Sequence, residues 1–590
     1  MVVFLRFLAL AGILAGLLTA CAGDRPGFHP AAKLSAAARA AGPEASGVRS
    51  PLGSYLAGRV AGAQRDTRLA AEFYLQALVG DPENLILMRQ SFALSVAGGR
   101  YQDAVALARR LVDRGPPSGM AQLMLVLDDI RRERYGAANK RLGEGVKSGF
   151  GALVGPLVSA WSLAGEGKAE AALAALDALD KTAAFRPFML RHRAYLADFL
   201  GQADAAGKAY EAAFAGEGGK PLRLLVSYGR YLARAGETAK AAALYDSFLK
   251  RIPDNPVVVA EKKQLGGKAR PGRLIDSVQA GVAEALYDTA QALARENTTA
   301  PAAHYLRLTL FVDPGFNEAL LLLGDLLRRQ DHLDEALRLF SRVKAASPLS
   351  WTARLESAVL LDQLERTDEA VDMLVAMSHE RAGDMTVLVT LGDILRAHER
   401  YAEALKYYDE AVQRIDEIKP RHWALFYTRG ITLERTGQWS RAEADFLQAL
   451  KLRPEQANVL NYLGYSWIEQ GINLVRARKM IERAVELRPD DGYIIDSLGW
   501  VMYRLGDYKQ AAALLERATV LRPEDPTINH HLGDAYWRVG RRLEARFQWR
   551  HAIALSTDEA EIREISAKIE HGLGPPDDSD GPGDGPSDDQ

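Results

Sequence analysis

From residue 423 onward, the apolar positions of the chain follow a pattern that recurs four times. In the third copy, GYIIDSLGWVMYRLGDYKQAAALLERATVLRP, Leu498, Gly499 and Met502 share one face at helical spacing. Gly506 and Asp507 interrupt it. Ala511, Leu515 and Ala518 then follow at i, i+4 and i+7, and Pro523 closes the copy. The pattern predicts a helix, a tight turn and a second helix. Small residues at Gly499, Ala511 and Ala518 let the two helices approach closely, with Leu498 and Leu515 filling the seam. A single hairpin of this kind leaves an apolar face that only a neighbouring hairpin can cover. Gly430, Gly464, Gly499 and Gly533 recur at steps of 34, 35 and 34 residues, and Pro454, Pro489 and Pro523 at 35 and 34. A fixed period in this range marks a stacked array.

The copies agree in register with W-x2-L-G-x2-Y, then A-x3-F, then A and P, and so the pattern resembles the tetratricopeptide repeat. The resemblance implies an all-α fold, a tetratricopeptide repeat solenoid built as a right-handed superhelix of about 14 helix hairpins. Weaker copies run through residues 51–253, marked by Gly58, Ala70 and Tyr74 at the start and by Gly229, Ala241, Tyr245 and Pro253 at the end. Residues 254–282 carry two prolines, four glycines and several Lys and Arg, and break the register. They predict a connector between two halves, the alternative being a locally helical insertion that leaves the superhelix continuous. The second array runs from 283 to 559, a polar capping helix is expected over 560–571, and six Asp fall among the last 14 residues of an acidic tail at 572–590.

Composition narrows the function classes. A chain of 590 residues is too long for one compact core but ordinary for an array. Its net charge of −2 argues against nucleic-acid binding, which calls for a basic surface. The 48% hydrophobic content is rich in alanine, as tightly packed helix pairs require.

The first residues, MVVFLRFLALAGILAGLLTACAGD, give a thin positive region at Arg6 and a short apolar run from Phe7 to Leu18. That is shorter than a membrane-spanning helix needs and reads as a secretory signal over residues 1–20. Leu18-Thr19-Ala20-Cys21 resembles a lipobox, with Cys21 as the lipidated residue. Cys21 is the only cysteine, so an internal disulfide is excluded. By the same resemblance, Ala22 after the cysteine implies anchoring in the cell envelope, at the outer membrane facing the periplasm. Residues 21–50 are rich in Ala, Gly, Ser and Pro and predict a tether reaching roughly 30 Å.

No catalytic motif, metal-ligand spacing or cofactor loop is present in the sequence, so the expectation is a non-enzyme without cofactor or metal. The adjacent His530 and His531 point to different sides of a helix. The recurring Gly-Asp pairs, Asp325, Asp393 and Asp534, are expected to line a groove or to be solvated. In tetratricopeptide arrays the first helix of each pair lines a concave groove. Carried onto this chain, the groove positions are Asn461, Tyr465, Tyr493, Asp496, Trp500, Tyr503, Arg504, His530, Asp534, Trp537 and Arg538, with Glu469 among them and Tyr427 and Arg435 upstream. Aromatic and Arg side chains are those that carry interface energy. The other reading is that Trp500 and Trp537 pack between neighbouring repeats. The layout resembles long bacterial tetratricopeptide lipoproteins that act as adaptors of carboxy-terminal processing proteases. It implies a membrane-anchored scaffold whose partners are other proteins, among them a periplasmic protease and cell-wall hydrolases as its substrates. A structural subunit of an envelope export or outer-membrane assembly machine is the alternative.

Overall fold

The computed structural model describes residues 50–574 apart from 65, 115–118, 146–150, 217–220, 268–269 and 297. The expected signal peptide, Cys21, nearly all of the tether and most of the acidic tail lie outside the described residues. Helix is the dominant regular structure of the described residues, which contain no strand. They form two compact units that divide between Glu380 and Arg381. The N-terminal unit holds nine helix hairpins and the C-terminal unit five, so the expected repeat number matches.

Where glycine stands at the crossing, the hairpin closes for the reason its sequence suggested. A methyl group on Gly499 would lie 2.7 Å from Leu515 Cγ, and one on Gly533 would lie 2.4 Å from Trp549 Cδ1. Only hydrogen fits at this crossing, and the large residue of the second helix occupies the space. Ala511, Leu515 and Ala518 are wholly buried, and Leu498 is 6% exposed. The turn is made by Gly506 in the left-handed region (φ 82°), and Asp507 caps the following helix by accepting from Gln510 N.

In the C-terminal unit the hairpins pair Met385–Ala397 with Tyr401–Gln413, Trp423–Arg435 with Trp439–Leu452, Ala457–Glu469 with Leu474–Leu487, Gly492–Arg504 with Tyr508–Leu521, and Pro526–Arg538 with Arg542–Leu555. The cap is the helix Glu559–His571, one residue longer at its start than expected, with Asp558 accepting from Ala560 N and Glu561 N.

The N-terminal unit departs from a simple array. Residues 254–282, expected as a connector, lie inside this unit. They hold the helix Pro256–Leu265, started by Asn255, and the first turn of the helix Val278–Arg295, started by Ser277. Pro256 sits at the first helical position, where proline is tolerated, so the proline starts a helix within the segment. In the fourth hairpin the second helix, Ala169–Ala175, shortens into 3₁₀ turns over Leu176–Lys181 and Ala183–Phe185.

The hairpin of Val278–Arg295 and Thr299–Val312 packs against the first helices of earlier hairpins, Leu85–Ala97, Gly119–Arg131, Gly151–Gly165 and Arg186–Phe199. Thus the face of these repeats that would be an open groove is covered by the chain itself. Gly281 makes the approach possible: a methyl there would lie 2.1 Å from the Trp161 indole. Polar contacts fix the hairpin along its length. Tyr101 Oη donates to the carbonyl of Arg307 (2.9 Å), Arg191 Nε to Asp288 Oδ2 (3.0 Å), and Arg223 to both Glu284 (2.6 Å) and Glu318 (2.6 Å). Trp161 Nε1 donates to His192 Nδ1 (3.1 Å), which leaves the His192 Nε2 proton facing Asp288 Oδ2 at 3.4 Å. Burial lowers the His192 pKa, so this ring is neutral. Asp288 and Glu284 are buried acids four residues apart. Burial works against ionisation of both. Arg191 and His192 nevertheless hold Asp288 below the usual carboxylate range, whereas Glu284 is raised despite Arg223.

Candidate partner-binding face

The first helices of the C-terminal unit follow one another so that residues 35 apart meet. Asp496 Oδ1 lies 2.9 Å from His531 Nδ1, Arg538 Nε donates to Tyr503 Oη (3.2 Å), Arg504 lies 3.6 Å from Glu469, and the Tyr427 and Tyr462 rings meet edge to face at 6.1 Å. The repeat period therefore becomes a ladder of side chains running from helix to helix.

The ladder sorts the expected groove residues. Trp500 is half-buried. Its indole stacks on Tyr503 (4.8 Å, 5°) and on His531 of the next repeat (4.2 Å, 17°), and its Nε1 donates to Glu469 Oε1 (2.7 Å). Trp500 thus packs between neighbouring repeats and also keeps part of its surface at the face. Tyr465 and Arg504 are half-buried beside it and Glu469 is exposed. Asn461 is half-buried, and its Oδ1 accepts no hydrogen bond among the described residues. Tyr493 is 39% exposed with the Arg522 guanidinium 5.0 Å from its ring centroid, at the start of its helix.

Asp496, Tyr503, His530 and Asp534 are buried. The Gly-Asp pairs accordingly differ from expectation. Asp534 accepts from Trp549 Nε1 (2.8 Å), and the half-buried Asp393 from Tyr408 Oη (2.6 Å), so each ties its hairpin together. Asp325 pairs with the arginines at the end of its own helix, Arg328 and Arg329. Tyr427 is likewise buried, among Trp423, Phe446 and Tyr462.

The last repeat is covered by its cap. Lys568 Nζ donates to His530 Nε2 (2.7 Å) and to Asp534 Oδ2 (2.8 Å). Arg538 Nη1 donates to the carbonyl of Gly574 (2.6 Å), and Gly572 lies against the half-buried Trp537. Burial and the Lys568 charge pull the His530 pKa down to about 3, although Glu564 lies 3.8 Å away. His531 behaves oppositely. Burial works against its charged form, but the Asp496 carboxylate outweighs burial and raises its pKa. His530 and His531 therefore have separate partners, and no group of three or more metal-binding side chains exists among the described residues.

What stays accessible is the surface centred on Tyr465, Glu469, Trp500 and Arg504. It combines an aromatic plane, an Arg and a carboxylate, the composition of interface hot spots. Sequence reasoning named His531 only as facing away from His530, and passed over Tyr462 and Lys568. The 35-residue step from Asp496 to His531 and from Tyr427 to Tyr462 is the signal that could have found the contacts of His531 and Tyr462.

Comparison with known protein families identifies the repeat. Profiles of the tetratricopeptide repeat match residues 191–256, 287–350, 321–378, 384–455 and 427–492, and a TPR repeat profile matches 499–540. A TPR repeat-containing protein of Pseudomonas aeruginosa is 27% identical over 190 residues, 32% of this chain and 31% of that protein. The human protein O-mannosyl-transferase TMTC1 is 28% identical over 180 residues, 30% of this chain and 20% of that protein. The chain thus spans less than a third of the length of these curated relatives. Among solved structures, that of the APC/C hetero-tetramer Cut9–Hcn1 is 14% identical, covering 88% of this chain and 96% of that one at a TM-score of 0.37.

Proposed function

Because this chain is a tetratricopeptide repeat protein, we propose that it is a protein-interaction scaffold whose partner docks on the C-terminal unit around Trp500. Proteins of this kind generally mediate protein–protein contacts, and a repeat scaffold leaves the identity of the ligand to its surface. The observation that carries the reading is the half-exposed Trp500 indole, stacked between Tyr503 and His531 with Glu469 and Arg504 at its edge. A pre-stacked aromatic plane gives contact area at small entropic cost, and Arg504 can receive a partner carboxylate. In the N-terminal unit, the corresponding face is covered by the hairpin 278–312, which directs docking to the C-terminal unit.

The Leu18-Thr19-Ala20-Cys21 junction supports anchoring through a lipid on Cys21, in the envelope and at the outer membrane facing the periplasm. In that setting the scaffold would act as an adaptor delivering substrates such as cell-wall hydrolases to a carboxy-terminal processing protease. The test combines fractionation with co-purification. Cys21→Ser should move the protein out of the membrane fraction, and Arg504→Glu should lose the co-purifying partner while the anchor is kept. A wild-type protein that is soluble after lysis contradicts the anchor. An Arg504→Glu protein that retains every partner contradicts the docking face.

A further inference from the structure

The N-terminal unit contains a cavity of about 610 Å³ where the turn 98–100 and the first turn of the helix Tyr101–Arg114 face the helix Thr299–Val312. Its volume is in the range of small-molecule sites. Five arginines line it, Arg68, Arg100, Arg307, Arg338 and Arg342, against two carboxylates, Asp103 and Glu335. The lining therefore carries an excess of three positive charges.

The internal pairs account for only part of this charge. Arg307, 6% exposed, is 2.8 Å from Glu335, and Arg100 Nε is 2.7 Å from Asp103, with Glu72 of the neighbouring helix at 4.0 Å. Arg342 donates to the carbonyl of Pro314 (3.2 Å), a neutral acceptor. Arg68 and Arg338 are exposed at the rim. Guanidinium groups gathered round a partly enclosed space repel one another and raise the local concentration of anions. A purely structural cluster would be expected to match its charges.

Three further features fit an anionic occupant. Tyr101, Gln102 and Asp103, which line the cavity, are the first three residues of a 14-residue helix, whose N-terminal end favours negative charge. Gly99 has φ 70° and empty space where a side chain would stand, so the wall stays open there. Leu310, Leu323 and Leu339 give an apolar surface beside the charges, which strengthens electrostatic contacts. Arg307, being buried and already oriented by Glu335, is a fixed rather than a swinging donor.

We propose that this arginine-lined cavity binds a small polyvalent anion bearing phosphate or carboxylate groups. An anion of two or more charges answers the excess, and guanidinium forks suit either group. Arg100 and Arg307 stand on opposite walls, already joined where Tyr101 Oη donates to the Arg307 carbonyl. A bound anion would add a second bridge and hold the hairpin 278–312 on the repeats it covers.

The probe is inorganic pyrophosphate, added to the full chain at constant ionic strength. Calorimetry should show saturable binding, and amide exchange should slow in residues 299–312. The double substitution Arg68→Gln with Arg338→Gln removes two exposed charges and should weaken binding at least about tenfold, with the anion-free melting temperature unchanged. Arg342→Gln is the second variant and should weaken binding in the same direction. Equal binding by both variants, or no saturable binding up to about 10 mM, overturns the proposal. So does binding that leaves the exchange of residues 299–312 unaltered.

Discussion

The Trp500 indole and the His531 imidazole stack at 4.2 Å with their planes 17° apart, and His531 is in turn held by Asp496 at 2.9 Å. One residue belongs to the fourth repeat of the C-terminal unit and the other to the fifth, so this stack couples neighbours. Trp500→Ala should cost about 1–2 kcal/mol, an aromatic stack plus part of a half-buried ring. His531→Leu should cost about 1–3 kcal/mol by leaving the buried Asp496 carboxylate without its partner. The two losses should be non-additive in a double-mutant cycle read by denaturant unfolding. Full additivity would mean that the stack carries no energy.

Gly533→Ala tests the hairpin crossing. The added methyl would lie 2.4 Å from Trp549 Cδ1 in a fully buried seam. Overpacking of this kind costs about 1–3 kcal/mol. Because coupling in a repeat array is nearest-neighbour, lost hydrogen-exchange protection should concentrate in 492–571. Equal loss from 385 onward would show that the unit unfolds as one body instead.

Asp288→Ala tests the self-covered face of the N-terminal unit. It leaves Arg191 buried beside the cavity of a missing carboxylate, and breaking such a pair costs about 3–5 kcal/mol. Limited proteolysis should then cut within 278–312 before other regions. The pH dependence follows from the direction of each shift. Asp288 is held below its ordinary value of 3.8, so its contribution is present above that pH and lost as pH falls further. Glu284 is raised, so its contribution is present below its ordinary value and lost as pH rises through its folded value.

Hairpins, their number and their seams were legible because helical periodicity and the small residues at each crossing are local signals. Gly499 and Leu515 declare their contact through spacing alone. The fate of the first-helix face was not legible. That Gly281 meets Trp161, or that Asp288 pairs with Arg191, depends on contacts 120 and 97 residues apart that no period encodes. The hairpin-tying role of Asp393 and Asp534 was missed for a related reason. A carboxylate reads as solvated unless its donor, here Tyr408 or Trp549 on the second helix, is considered with it.

Acid should loosen the C-terminal cap. His530 accepts from Lys568 as a neutral ring, with Asp534, Glu561 and Glu564 nearby and a pKa near 3 instead of 6.5. The folded value is depressed, so this contribution is present above 6.5 and lost as pH falls toward about 3. His531, which is raised, acts in the opposite sense. Corrected amide exchange in 559–571 should therefore quicken between about pH 7 and pH 5, and His530→Gln, which keeps an acceptor without titrating, should flatten the change. An unchanged pH profile in that variant would assign the effect to another group.

The most direct measurement of partner docking is site-specific photo-crosslinking in cells of the native host. A photoreactive amino acid is placed at Tyr465 or at Arg504 on the Trp500 face, and as a control at the exposed Lys509. The docking account predicts a discrete protein adduct from positions 465 and 504 and none from 509, with the adduct lost on Trp500→Ala in a chain that still folds. Adducts from 509 alone, or equally from all three positions, would contradict it.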